Sequence, residues 1–133
     1  MKANRIIGAI ALLVVGALAL HTAWGQLAGT KRTDLQRHDL SVPGREALQV
    51  IVELAPDVLS PKHTHPGEEI IYVLEGSLEY EVEGRAPMTL KAGDVLFIPA
   101  GTIHSAKNVG TSSAAELATY VVEKGKPLIT LVN

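Results

Sequence analysis

The stretch PKHTHPGEEIIYVLEG, residues 61–76, is the most informative part of this chain. It places His63 and His65 one residue apart, puts Glu69 four residues later and continues into an apolar run. Because residues i and i+2 of a strand point to the same side, the two imidazoles are expected to face one point. The Pro–Gly turn that follows can return the carboxylate of Glu69 to that side. The stretch therefore predicts half of a metal site, followed by a β-strand.

A second stretch, PAGTIHSAKN at residues 99–108, offers His104 directly after another Pro–Gly turn. Three imidazoles and one carboxylate are good ligands for a divalent first-row metal, and an octahedral ion would keep up to two positions for water, oxygen or substrate. Glu68 is adjacent to Glu69, but the alternation of a strand points it to the other side. Metal binding should weaken as pH falls through about 6, because imidazole must be neutral to bind a metal.

The chain after residue 26 is a series of short strands and turns. ALQVIVELA, residues 47–55, is rich in β-branched residues, and SLEYEVEG, residues 77–84, alternates apolar with acidic side chains. The last clear strand is predicted from Glu116 to Val122. About seven short strands at this spacing, without a 3.6-residue period, predict an all-β sandwich or barrel.

Two of these strands are apolar on both faces, IIYVL at residues 70–74 and VLFI at residues 95–98. A two-layer sandwich buries only one face of each sheet, so the other apolar face needs a cover. A second copy of the chain is the simplest cover, which predicts a homodimer. The N-terminal arm is the alternative cover.

The N-terminus has a different character from the rest. A basic start, a 15-residue run without charge at residues 6–20 and small residues before a polar one are typical of a signal peptide over residues 1–25. The alternative is an uncleaved membrane anchor, although the run is short for a span. Residues 26–34 are expected to form a flexible arm and residues 35–133 the domain. The protein is thus expected to be exported, periplasmic or secreted, with membrane contact only through an uncleaved N-terminal segment.

The composition excludes several kinds of chemistry. The chain has 133 residues and no cysteine, so it is expected to form one domain without disulfides, thiolate ligands or thiol nucleophiles. Its net charge is −2, with no clustered basic face for nucleic acid. Dinucleotide-binding, phosphate-loop and nucleophile-elbow motifs are all missing from the sequence.

Taken together, the two histidine-bearing stretches resemble the two motifs of the cupins. The first cupin motif, G-x5-H-x-H-x3or4-E-x6-G, is matched by His63, His65, Glu69 and Gly76. Asp57 stands where this motif has its first glycine. The second motif, G-x5-P-x-G-x2-H-x3-N, is matched at every position, by Gly93, Pro99, Gly101, His104 and Asn108. The likeness extends over about residues 35–125.

The resemblance implies a conical jelly-roll β-barrel, a double-stranded β-helix, with a metal in its mouth. It assigns one divalent first-row transition metal (iron, manganese, nickel, copper or zinc) to His63, His65, Glu69 and His104. It also makes Asn108 a structural residue that does not touch the metal. The first stretch is similar to that of small, single-domain quercetinase-like cupins.

Cupins include dioxygenases, isomerases and plain binding proteins, so the likeness leaves the function open. The first hypothesis is a metal-dependent enzyme, dioxygenase- or isomerase-like, that acts on a small oxygenated molecule and uses Glu69 as both ligand and base. The second is a non-catalytic cupin that binds or senses a metal or small molecule, and a sugar binder is a third. A further acid or base in the cavity would favour the enzyme. The candidates are Glu53, Arg45, Gln49 and Tyr120.

Overall fold

The structure is a computed structural model that describes residues 28–133, and these residues form β-strands without any helix. The strands are β1 (Thr30–Asp39), β2 (Arg45–Leu54), β3 (His63–Thr64), β4 (Gly67–Glu75), β5 (Ser77–Val82), β6 (Met88–Lys91), β7 (Val95–Ile98), β8 (His104–Asn108), β9 (Ala114–Glu123) and β10 (Thr130–Leu131). The predicted signal peptide or anchor over residues 1–25 lies outside the described residues. Within residues 28–133, no helix offers the length and apolar character needed to cross a membrane.

The strands form two five-stranded antiparallel sheets. The first has the order β1-β2-β9-β4-β7 and the second the order β10-β3-β8-β5-β6. Neighbours in each sheet come from distant parts of the chain, which is the double-stranded β-helix arrangement of a jelly roll. The prediction of an all-β jelly roll is confirmed.

The core lies between the two sheets and is built by period-2 alternation. On β5, Leu78, Tyr80 and Val82 are buried while Glu81 is exposed, as the sequence pattern predicted. The inward halves of β4, β7 and β9 pack against them. Full burial of each such aliphatic side chain contributes about 1.5–3 kcal/mol, which explains why this pattern fixes the facing of the strands.

The outward side chains of β4 and β7 remain exposed and apolar. Their residues are between 41% and 67% exposed: Ile70, Tyr72 and Leu74 of β4, and Val95 and Phe97 of β7. Ile70 lies opposite Phe97 and Tyr72 opposite Val95 in the strand register. The five side chains therefore form one apolar patch at the edge of the first sheet, here called the β4–β7 face.

The N-terminal segment differs from the expected flexible arm over residues 26–34. From Thr30 onward it forms β1, which pairs with β2 from Thr30 opposite Leu54 to Asp39 opposite Glu46. Most side chains of β1 are exposed, so the strand carries no apolar period that sequence could reveal. Backbone hydrogen bonds to β2 and ion pairs such as Arg37–Glu46 hold it instead. Since β1 lies at the opposite edge of the sheet from β7, it does not cover the β4–β7 face.

Asp57, which replaces the first glycine of the cupin motif, adopts the backbone conformation that glycine would supply. Its φ is +63°, in the left-handed region that asparagine and aspartate tolerate better than other non-glycine residues. Its backbone N–H donates to the carbonyl of Asn108 at 3.2 Å. The loop geometry of the motif is therefore kept despite the missing glycine.

We expect an Asp57→Gly variant to leave the free energy of unfolding unchanged or raise it by up to about 1 kcal/mol, because glycine removes the left-handed strain. Asp57→Val should lower it by about 2 kcal/mol, since a β-branched residue is poorly accommodated there. Urea denaturation of the metal-free protein measures both changes. Asp57→Val with wild-type stability would contradict the left-handed conformation.

Candidate metal centre

The structure brings the four predicted ligand side chains together inside the barrel. His63 on β3 lies opposite His104, the first residue of β8, in the strand register. His65 follows β3 directly, and Glu69 lies near the start of β4. The four residues are only 3–8% exposed, so two sheets contribute to one buried polar cluster.

The ligand atoms converge on one point. One nitrogen of each imidazole lies within 4.8 Å of the corresponding nitrogens of the other two, for His63, His65 and His104. Glu69 Oε2 lies 3.2 Å from His65 Nε2 and 3.0 Å from His104 Nε2. Glu68, in contrast, is turned outward and half-buried, as strand alternation predicted.

Backbone carbonyls fix the orientation of all three imidazoles. The Nδ1 atoms of His63, His65 and His104 donate to the carbonyls of Pro61 at 2.8 Å, Leu128 at 2.6 Å and Thr102 at 2.9 Å. A carbonyl can only accept, so each Nδ1 carries the proton. This is the tautomer that leaves Nε2 available as a metal ligand, and such partners are typical around histidine ligands.

The arrangement fits a cation. Within the described part of the chain, neither His65 Nε2 nor Glu69 Oε2 has a hydrogen-bond partner, although both are fully buried. With the protons on Nδ1, imidazole lone pairs and a carboxylate oxygen face one another across about 3 Å. Burying unpaired polar atoms in this way is costly unless a positive ion lies between them. The donor set of three neutral imidazoles and one carboxylate therefore suits a divalent first-row metal.

The protonation states favour the same conclusion. Burial raises the pKa of Glu69, but in the metal-free protein a proton taken up at Nε2 of His104 or His65 outweighs this effect and holds the pKa well below its usual range. A cation bound between the same atoms would act in the same direction. The carboxylate of Glu69 is therefore ionised. Burial, together with the neighbouring His104, lowers the pKa of His63 from 6.5 to about 4, so this imidazole is neutral at pH 7 and ready to bind.

The metal-free protein should lose stability as pH falls from about 6.5 to about 4 because of His63. In this window the unfolded chain binds a proton at His63 that the folded protein does not, since the folded pKa is the lower one. The 2.5-unit difference between 6.5 and about 4 corresponds to about 3 kcal/mol. Urea denaturation of the chelator-treated protein against pH measures the loss. His63→Gln should flatten the curve, and an unchanged curve would contradict the assignment.

Gly67 allows β4 to begin close enough to β9 to place Glu69 in the cluster. A Cβ atom at this position would lie 2.0 Å from the carbonyl oxygen of Val121 and 2.6 Å from Cα of Val122. Both are backbone atoms that cannot move aside. The glycine of the Pro–Gly turn is thus a close-approach residue as well as a turn former.

A cavity between the two sheets opens onto the cluster and is lined by His63, Glu69 and His104. Its other polar lining residues are Thr30, Arg32, Ser60, Tyr80, Glu116 and Tyr120. It offers about 30 Å³ to the centres of water-sized atoms, which is room for water or a small ligand. We call this space the metal cavity.

Of the four proposed acid or base candidates, the structure places only Tyr120 in the metal cavity. Its ring packs against His65 with centroids 4.8 Å apart, and burial and the charge of Glu69 raise the pKa of its hydroxyl well above the usual range. Glu53 instead pairs with Lys31, and Gln49 donates to Thr119. Arg45 lies at the start of β2, away from the cavity lining.

The sequence analysis missed Arg32, Glu116 and Tyr80 as cavity residues. Glu116 was detectable in principle, because it lies an even number of residues from Tyr120 and so points to the same, buried side of β9. A carboxyl group on the buried side of a strand is unusual. Arg32 was not detectable, because β1 has no periodic pattern. His38, which belongs to neither motif, is exposed on the same strand.

Comparison with known proteins shows the family to which this fold belongs. The family model described as Cupin domain matches residues 50–130, more than half of the chain. The chain is 39% identical over 87 residues to Germin-like protein subfamily 2 member 2 of Arabidopsis thaliana, a match that covers 59% of the chain and 40% of that relative. The chain thus spans about 40% of the length of the curated relatives it matches.

Solved structures are similar over most of the described fold. An oxalate oxidase in complex with the substrate analogue glycolate has a TM-score of 0.63 at 26% identity, over 78% of this chain and 55% of that one. The DMSP lyase DddQ of Ruegeria pomeroyi DSS-3 has a TM-score of 0.59 at 27% identity, over 65% and 43%. With the domain match and the shared jelly roll, these findings show that the chain belongs to the cupin family.

Proposed function

We propose that this cupin is a metal-dependent enzyme, dioxygenase- or isomerase-like, that acts on a small oxygenated molecule. His63, His65, Glu69 and His104 are the proposed ligands of one iron, manganese, nickel, copper or zinc ion. When bound, such an ion supplies a Lewis acid with open positions for a substrate oxygen. Similarity to an oxalate oxidase and a DMSP lyase is consistent with catalysis but does not identify the reaction.

The observation that carries this proposal is that the metal cavity contains acid–base groups besides the ligands. Tyr120 and Glu116 both line the space that His63 and His104 line. A cavity used only to hold a metal has no need of a buried phenol and a buried carboxyl, each of which is costly to desolvate. Proton transfer at a bound substrate does need such groups.

The chain's own residues can be assigned roles in this scheme. Glu69 is a proposed ligand and can accept a proton from the substrate at a carboxylate oxygen. The Tyr120 hydroxyl accepts a hydrogen bond from Arg32 Nη2 at 3.4 Å, which leaves its own proton to be donated into the cavity. The apolar lining residues Val52 and Leu54 lie on β2, next to β9, and limit the access of water to this side of the cavity.

Metal analysis followed by a substrate screen tests the proposal. The exported form, purified without chelator, should contain about one equivalent of metal by mass spectrometry. Oxygen uptake is then measured with small enediols, and isomerisation is followed by NMR. Tyr120→Phe should lower kcat by about 100-fold, a usual size for the loss of an acid or base, with unchanged metal content. Tyr72→Phe, which removes an exposed hydroxyl outside the cavity, is the matched control.

A non-catalytic binding or sensing role is the second candidate, and the small size of the metal cavity favours it. With about 30 Å³ open to the centres of water-sized atoms, the cavity admits only a small ligand. Full metal occupancy with no turnover across the screen would support this role and contradict the enzyme. Absence of metal from the exported form would contradict both.

We also propose that the β4–β7 face is covered by a second copy of the chain in a homodimer. Soluble monomers rarely expose a contiguous apolar patch of this kind. A Phe97→Glu variant should sediment as a monomer at micromolar concentration, where the wild type sediments as a dimer. Leu35→Glu is the matched control, because Leu35 on β1 is 49% exposed and Phe97 is 51% exposed. A monomeric wild-type protein would contradict the homodimer.

The place of action is proposed from the N-terminal sequence. Residues 1–25 have the pattern of a secretory signal peptide, so we propose export to the periplasm or the exterior. The N-terminal residue of the exported protein, determined by mass spectrometry, distinguishes a cleaved signal peptide from a retained anchor.

A further inference from the structure

The metal cavity is lined by two further polar atoms that have no hydrogen-bond partner within residues 28–133. Glu116 on β9 is 7% exposed, and its Oε2 has no hydrogen-bond partner in residues 28–133. The hydroxyl of Tyr80, on the facing sheet, also lacks one among these residues. Both side chains line the same space as the proposed ligands. Unsatisfied buried polar groups are rare in folded proteins and commonly mark a site for a ligand or ordered water.

Arg32 contributes a positive charge to the lining of the metal cavity. It lies on β1, lines the metal cavity and donates to the Tyr120 hydroxyl at 3.4 Å. Its guanidinium carbon lies 5.9 Å from the centre of the Tyr120 ring. Arginine has five N–H donors, of which this long contact uses one, so others remain for a ligand.

We propose that Arg32 and Glu116 form a recognition site for a small hydroxycarboxylate in the metal cavity. Arg32 binds the carboxylate and Glu116 hydrogen-bonds to the hydroxyl group, which places the ligand beside the metal centre. An alcohol hydroxyl both donates and accepts, so it can pair with Glu116 whichever protonation state the carboxyl has. The cavity volume of about 30 Å³ restricts the ligand to a few heavy atoms.

Two separate contacts make the site selective: Arg32 with the carboxylate of the ligand, and Glu116 with its hydroxyl group. Without a negative charge on the ligand, Arg32 is left without its counter-ion. Without a hydroxyl, Glu116 is left buried and unpaired, and a site built to bind a hydroxyl rejects analogues that lack one. This inference rests on the proposed metal site, but it requires only binding and not turnover.

Three two-carbon ligands separate the contribution of the carboxylate from that of the hydroxyl group. Glycolate has both groups, acetate lacks the hydroxyl and ethylene glycol lacks the charge. Binding is measured by calorimetry on the zinc-loaded protein, because Zn²⁺ has no redox chemistry that would consume the ligand. Wild type should bind glycolate at least about tenfold more tightly than either analogue, as expected for a hydrogen bond to a charged group.

Variants of Arg32 and Glu116 then test which residue binds the carboxylate and which binds the hydroxyl group. Arg32→Gln should weaken glycolate about tenfold and leave ethylene glycol unchanged. Glu116→Leu should reduce glycolate binding to the level of acetate, and Glu116→Gln should keep part of the preference. If Arg32 and Glu116 had only a structural role, their replacement would not change the ratio of the affinities for glycolate and its analogues. That affinity ratio is therefore the deciding measurement. Zinc content and melting temperature verify that each variant is folded.

The chain offers a closely matched control pair. Arg37 on β1 and Glu46 on β2 are joined by two hydrogen bonds of 2.9 and 2.8 Å outside the metal cavity. Glu46 is 7% exposed, the same as Glu116. Arg37→Gln and Glu46→Gln should therefore leave the affinities for all three ligands unchanged.

The inference is overturned if wild type binds none of the three ligands at 20 mM, or if Arg32→Gln and Glu116→Leu bind them as wild type does. Glycolate preference that is lost in these variants supports it, even if no compound is turned over. Turnover of an unrelated substrate without glycolate binding supports the enzyme and overturns this inference. The two proposals can thus fail separately.

Discussion

A His104→Ala variant is expected to bind its metal at least about 100-fold more weakly than wild type. Loss of a hydrogen-bonding partner outside the ligand set already costs tenfold to 100-fold in affinity, and removing a ligand should cost more. His104 Nε2 also lies 3.0 Å from Glu69 Oε2, so the two atoms can bind the same ion. At matched free metal, the stabilisation of the folded protein by the metal should fall by about 2.7 kcal/mol.

Metal competition against a coloured chelator at pH 7 gives the affinity, and the melting temperature with and without metal gives the linked stability. His38→Ala is the control, since His38 is exposed on β1 and belongs to no cluster. Full metal occupancy at unchanged affinity in His104→Ala would rule out the four-ligand assignment.

An Asn108→Asp variant is expected to lower the free energy of unfolding by about 4 kcal/mol. Asn108 is fully buried, and its Nδ2 donates to the carbonyls of Leu54 at 2.9 Å and Ser112 at 2.8 Å. Its Oδ1 accepts from the N–H of Gly110 at 2.9 Å. Aspartate has the same shape but, when ionised, no donor, so two buried carbonyls would face a carboxylate oxygen. The lost hydrogen bonds and the buried charge together give this magnitude.

Urea denaturation of the metal-free protein measures the effect without the contribution of metal binding. Asn133→Asp makes the same chemical change at an exposed position near the C-terminus and should alter stability by less than about 0.5 kcal/mol. Because Asn108 does not belong to the metal cluster, metal affinity of the folded Asn108→Asp protein should be unchanged. A stability loss below about 1 kcal/mol would contradict its role as the residue that ties β2 to the loop before β9.

The fold class and the metal cluster could be predicted from the sequence because they depend on patterns within single strands and short motifs. The facing of side chains within one strand depends only on period-2 alternation, so His63 and His65 could be placed on one side without knowing the fold. The outward turn of Glu68 and the buried face of β5 follow from the same rule. The resemblance to the cupin motifs then joined His104 to the other three residues. The structural role of Asn108, implied by the same resemblance, agrees with its hydrogen bonds.

The groups that surround the metal ligands could not be predicted from the sequence. The carbonyl of Leu128, which fixes the ring of His65, is contributed by a segment with no recognisable pattern, and any residue could supply it. β1 was expected to be a loose arm because its exposed side chains carry no apolar period. Its position is set by backbone hydrogen bonds to β2 and by polar pairs such as Arg37–Glu46, and neither leaves an apolar pattern in the sequence.

The sequence by itself determined that this is an all-β cupin with a candidate metal site at His63, His65, Glu69 and His104. Only the tertiary structure decided what surrounds that site: which of the candidate acids face inward, and that Arg32 and Glu116 line the metal cavity from β1 and β9. The physical reason is that alternation fixes the relative facing of residues within one strand. The pairing of strands far apart in the chain decides which of the two faces meets the cavity.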